Sequence, residues 1–110
     1  MANVFKNAVS ASVGTSGVDV YTAGSGVTAT VIGATVANRH SSSITVDATI
    51  TDSSASVTPF LVKAAPISTG SSLVLIGGDQ KVVLETGDKI TITSNTASSA
   101  DVIISVLEST

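Results

Sequence analysis

Apolar and polar residues alternate along most of this chain. From Ile44 to Thr51, the residues Ile44, Val46, Ala48 and Ile50 fall on one side and Thr45, Asp47, Thr49 and Thr51 on the other. A period of two predicts a strand with one face in a core and the other toward water or a polar neighbour. The same pattern, shorter or less regular, predicts strands at residues 18–22, 57–65, 73–76, 81–84, 90–93 and 102–107. These runs are rich in Val, Ile and Thr, and clusters of Gly, Ser, Asn and Asp between them predict turns. Residues 27–38 form the longest candidate, with apolar residues on both faces in the middle, which predicts a strand covered on both sides. Gly33 inside it predicts a bulge or a close backbone approach. In residues 4–13, Val9, Ala11 and Val13 alternate with Ser10 and Ser12. That segment reads as an edge strand or an extended N-terminal arm.

Between Leu73 and Leu107 four such runs follow one another, separated by turns at 77–80, 85–89 and 94–101. The arrangement predicts an antiparallel meander. Pro59 weakens the start of the 57–65 run because it cannot donate to a ladder, and Pro66 predicts its end. Only Ala-rich residues 97–100 offer a helical turn. The expected fold is all-β: one antiparallel β-sandwich of jelly-roll type with about eight strands, occupying residues 1–110, with 1–13 as the arm or edge strand. Segments resemble one another without a repeating register, so a repeat protein is not expected.

Composition narrows the function classes. Hydrophobic residues make up 43% and charged residues only 12%, which closes the high-charge route to disorder. The aromatics are Phe5, Tyr21 and Phe60. So few rings weigh against ring-stacking sites for sugars or single-stranded nucleic acid. The net charge is −3, and Lys6, Arg39, Lys63, Lys81 and Lys89 are too scattered to form the basic stripe that phosphate binding requires. Nucleic acid is therefore not an expected partner. With no cysteine, neither a disulfide framework nor a thiolate metal site is available, which points to folding in a cytoplasm. The first residues lack the basic region and apolar core of a signal peptide, and no apolar run approaches the ~20 residues that span a bilayer. A soluble protein made in the cytoplasm, with no membrane partner, is the expectation.

Candidate chemistry is sparse. A Ser-His-Asp hydrolase would have to use His40, the only histidine, with Ser41 or Ser43 and Asp47 or Asp52. Closeness in one loop does not supply the spatial relay such a triad needs, and no Gly-x-Ser-x-Gly elbow is present. His40 reads as a solvated loop residue. Asp79, Glu85, Asp88 and Asp101 are the best carboxylate grouping, since the turns of a meander can converge and Ca²⁺ takes several oxygen ligands. Turn chemistry explains them more simply: Asp bonds nearby backbone N–H groups and Gly supplies positive φ. The glycine-rich stretches match neither Gly-x-Gly-x-x-Gly nor a phosphate-binding loop. No catalytic, metal-binding or cofactor-binding residue is expected.

Strand faces built from Thr, Ser, Ala and Val with few charges resemble a surface that meets protein rather than water. Symmetric association, as a dimer or trimer, is expected on that ground. The order Val18-Asp19-Val20-Tyr21-Thr22-Ala23, then the run from Thr28 to Asn38, carries a resemblance. So do Lys63-Ala64-Ala65-Pro66-Ile67, Gly70-Ser71-Ser72-Leu73, the run from Val83 to Ile90, and Ser105-Val106-Leu107-Glu108. Together they resemble a family of small virion structural proteins of tailed bacteriophages, notably those of cyanobacteria and marine bacteria. The resemblance implies a non-enzymatic particle component, made in the host cytoplasm and assembled into the virion. Its expected role is capsid decoration or cement, with other virion proteins and foremost the major capsid protein as partners. A neck, tail or fibre-attachment component is the alternative, and a carbohydrate-binding or adhesin module is a third reading.

Overall fold

The computed structural model describes residues 2–110. Among them are the strands β1 (Asn3–Val13), β2 (Val18–Thr22), β3 (Thr28–Asn38), β4 (Ile44–Thr51), β5 (Phe60–Ile67), β6 (Ser72–Ile76), β7 (Val82–Leu84), β8 (Lys89–Ser94) and β9 (Ala100–Ser109), with no helix. They form two antiparallel sheets. A five-stranded sheet has the order β1-β9-β3-β6, with β7 also pairing β3, and a four-stranded sheet has the order β2-β8-β4-β5. Only the β4–β5 and β6–β7 connections stay within a sheet; all the others cross between sheets.

The alternating pattern becomes a core at once. Ile44, Val46 and Ala48 of β4 and Ile90 and Ile92 of β8 pack against Ala29, Val31, Ala34 and Val36 of β3 and Val102, Ile104 and Val106 of β9. These are small and β-branched side chains, stiff and well fitted to a pleated surface. Tyr21 is the only aromatic ring in this core, since Phe5 and Phe60 are both exposed.

Four expectations are corrected. The runs after Leu73 are strands, but they do not form a meander: β6 and β7 pair with β3, β8 pairs with β2 and β4, and β9 pairs with β1 and β3. Alternation selects strand conformation without naming a partner. Second, β3 is buried on its inner face only. A register shift between Val31 and Gly33 changes the phase of the strand, so Val31 and Ala34 both point inward and the apolar run at its middle is the bulge itself. Third, Pro66 does not end β5 but lies within it, opposite Thr45. β5 is the outermost strand of its sheet, where a missing N–H is tolerated. Its start is delayed to Phe60 because Val57 instead closes a small loop by bridging to Asp52. Fourth, residues 97–100 hold no helical turn. Ser98 has φ of 51°, and Ala100 already belongs to β9.

Candidate functional site

The residues of the hydrolase reading spend their hydrogen bonds separately. The His40 Nδ1 accepts the Ser42 N–H at 3.2 Å, a contact within one loop. Asp47, on the outer side of β4, accepts the Ala64 N–H of the edge strand at 2.7 Å. Asp52 accepts the Ala55 N–H at 3.0 Å and the Ser54 hydroxyl at 2.9 Å, and these two donors hold its carboxyl below the usual range.

The carboxylate grouping also differs from expectation. Glu85 and Asp88 do come together, but their third neighbour is Asp52, whose ligand atom lies within 4.8 Å of theirs. Asp101 pairs with Ala37 near the far end of β3, whereas Leu84, beside Glu85, pairs with Ala29. Eight residues of strand separate those positions, roughly 26 Å at about 3.3 Å per residue. Asp79 lies in the loop between β6 and β7, away from both ends. Asp52 enters the group because β4 pairs with β8, placing Thr51 opposite Lys89. Asp88 is buried, and its carboxylate is used up locally. It accepts the Ser53 N–H at 3.0 Å, the Ser53 hydroxyl at 3.2 Å and the Glu85 N–H at 3.0 Å. This side chain ties the β4–β5 loop to the β7–β8 turn.

The two outward-facing sheet surfaces differ sharply. On the four-stranded sheet Thr45, Asp47, Thr49, Thr51, Thr91 and Thr93 face outward, with an ion pair between Lys89 and Asp19 at 3.1 Å. The Thr91 hydroxyl and Lys89 hold the Asp19 carboxyl below its ordinary value. That face is polar. On the five-stranded sheet, cross-strand neighbours project on the same side, so registers define rows. Val9, Ile103, Thr35 and Val74 form one row across four strands. Phe5, Leu107, Thr30 and Val83 form a second. Between them run Asn7, Ser105 and Gly33, over a depression of about 320 Å³ lined in part by Phe5, Asn7, Ile32 and Ser105.

No residue of these three rows is charged. Phe5 is 74% exposed, Val9 65%, Val74 63%, Val83 59% and Ile103 57%. They are five of the eight large apolar side chains that stand exposed among the described residues. Scattered apolar residues are ordinary on a protein surface; here five of them stand in two rows on one face, each row containing one threonine, which makes this face the candidate site. Its polar rim at one end is Arg39, whose guanidinium donates to the Ser12 hydroxyl at 2.9 Å and to Asp101 at 3.3 Å.

Sequence reasoning located the strands of this face but not the face. The available signal was consecutive apolar residues, as in Val82-Val83-Leu84 and Val102-Ile103-Ile104, where both sides of a strand are apolar. Assembling them into rows required the pairing of β3 with β6, β7 and β9. No protein-family model, no curated protein and no solved structure matches the chain.

Proposed function

We propose that this chain is a non-enzymatic virion structural protein of a tailed bacteriophage, a jelly-roll decoration or cement protein that braces the outer capsid shell. The observation that carries the reading is the uncharged, two-ridged apolar face of the five-stranded sheet, set opposite a polar face on the other sheet. A module with one adhesive side and one solvated side suits a thin outer layer. Two further features support it. With β6 and β7 counted as one interrupted strand along β3, the orders β1-β9-β3-β6 and β2-β8-β4-β5 with cross-sheet connections support the jelly-roll reading. The residue order from Val18 onward resembles small virion structural proteins.

The mechanism is adhesive. A protein that binds only the assembled shell stabilises it by mass action, in proportion to its affinity and occupancy. The ridges supply apolar area, and the Asn7-Ser105-Gly33 channel between them receives protruding side chains of the partner. The deciding experiment is a reconstruction of the virion containing this chain, with copy number from quantitative mass spectrometry of purified particles. Hundreds of copies on the shell, with Phe5, Val74 and Ile103 against the major capsid protein, are expected. A few to tens of copies at the neck or tail would replace decoration with that alternative. Absence from the particle would overturn the virion reading.

A further inference from the structure

An exposed sheet edge offers a row of free backbone N–H and C=O groups, and proteins blunt such edges with bulges, proline, charge or short strands. Three of the four edges here are blunted. β2 has five residues, a register shift between Asp19 and Tyr21, and a charge at Asp19. β5 carries Pro66, Lys63, two register shifts and Ala64 at φ 50°. The β6/β7 edge is interrupted by the Gly77–Lys81 turn, and β7 is three residues long.

β1 has none of these protections over most of its length. From Asn3 to Ser10 it pairs with β9 through eight successive residues without a shift, and it contains no proline and no glycine there. Its one charge, Lys6, is turned away into an ion pair with Glu108 at 3.1 Å. The Ala2 carbonyl accepts the Thr110 N–H at 3.1 Å, so even-numbered backbone groups face β9. By alternation, those of Asn3, Phe5, Asn7 and Val9 face outward.

We propose that β1 is a homodimerisation edge, pairing antiparallel with β1 of a second copy about a two-fold axis at Asn7. The occupant is a second copy because the strand complements itself in that register. Phe5 falls opposite Val9 of the second copy, and Val9 opposite Phe5. The row Val83-Thr30-Leu107-Phe5 then continues into Val9-Ile103-Thr35-Val74 of the second copy, so each apolar ridge runs unbroken across both molecules. Aromatic and β-branched residues placed directly opposite each other are the favourable cross-strand pairs. Lys6 meets Ala8 rather than another lysine. A two-fold axis at Lys6 would instead oppose the two Lys6 side chains and set Phe5 against Asn7. An axis at Ala8 would set Phe5 against Ala11. An axis at Phe5 or Val9 would extend one ridge and leave the other ending at the seam; the Asn7 register separates the lysines and joins both ridges at once. This inference does not depend on the virion reading; if both hold, dimerisation doubles the face presented to the shell.

The absence of native cysteine makes the test direct. Across an antiparallel pair, Cα atoms at the two-fold position lie about 5.5 Å apart, inside the range a disulfide bridges. Asn7→Cys should cross-link to a dimer under mild oxidation, whereas Ser41→Cys, in the exposed β3–β4 loop, should not. The wild-type chain should show twice its monomer mass by sedimentation at high micromolar concentration, and Asn7→Pro, which removes an outward N–H but no β1–β9 bond, should revert to monomer. Should Asn7→Pro not fold, the cross-link and the wild-type mass decide alone. A wild-type monomer at millimolar concentration would overturn the proposal, as would a dimer in which Asn7→Cys cross-links no better than Ser41→Cys.

Discussion

The Tyr21 hydroxyl on β2 donates to the Glu108 carboxylate on β9, joining the edge strand of one sheet to an inner strand of the other. Lys6 reaches the same carboxylate from β1 at 3.1 Å. The phenol is pushed well above its usual value, first by burial and then by the hydrogen bond to Glu108. Glu108 is held below the usual carboxylate range by the Tyr21 hydroxyl and then by Lys6.

These opposite shifts give a signed pH dependence. A lowered carboxyl contributes fully above its unfolded value, about 4.3, and loses that contribution as pH falls through the folded one. A raised phenol contributes fully below its unfolded value of about 10 and loses it as pH rises beyond. The stability difference between wild type and Tyr21→Phe should therefore be flat, at about 1 kcal/mol, across neutral pH and shrink on both sides. Urea unfolding at a series of pH values measures it. An equal difference at low and neutral pH would show that the pair does not act through ionised Glu108.

Asp88 is the polar group on which two turns depend. Asp88→Ala leaves the Ser53 and Glu85 N–H groups without their acceptor, at a cost of about 2–4 kcal/mol. Asp88→Asn keeps one acceptor oxygen and should cost less. Chemical denaturation orders the three proteins. Equal losses for Ala and Asn would mean that the negative charge, rather than the hydrogen-bond geometry, holds the turns.

Residues 44–51 were legible as a strand because nothing interrupts their alternation, and β4 spans those residues. Gly33 likewise announced the irregularity found between Val31 and Gly33. Pairing was not legible. The chain crosses between sheets at the Thr86-Gly87 turn, where the Gly87 N–H reaches the Ala23 carbonyl at 2.9 Å. Gly-Asp turns serve hairpins and cross-sheet connections alike, so turn composition does not distinguish a meander from this topology. The meeting of Asp52 with Asp88, and the alignment of Val9, Ile103 and Val74, follow from strand register, which is set by packing of the whole core.

Two glycines should respond oppositely to alanine. Gly87 has φ of +89°, and a Cβ there would lie 2.8 Å from the Ser53 Oγ. Gly87→Ala should cost about 1–3 kcal/mol, because the hydroxyl can move but the backbone conformation cannot. At Gly24 the nearest atom to an added Cβ is a Val27 methyl at 4.0 Å, and φ lies outside the left-handed region. Gly24→Ala should gain about 0.4–1 kcal/mol by restricting the unfolded chain. Thermal melts of the two variants are expected to move in opposite directions from wild type.

The apolar face can be separated from the fold by charge. Ile103 and Val74 project outward and are mostly exposed, so Ile103→Lys and Val74→Glu should change stability by no more than about 0.5–1 kcal/mol. Both place a charge in a ridge that docking to a shell would desolvate, and an unpaired buried charge costs several kcal/mol. Each variant should therefore lose at least tenfold in affinity for undecorated shells in a co-sedimentation assay while its melting curve stays close to wild type. Thr49→Lys, on the polar face of the other sheet, serves as the control and should bind normally. If Thr49→Lys abolishes binding and Ile103→Lys does not, the adhesive surface is the threonine-rich face, and the role assigned to the two apolar ridges is wrong.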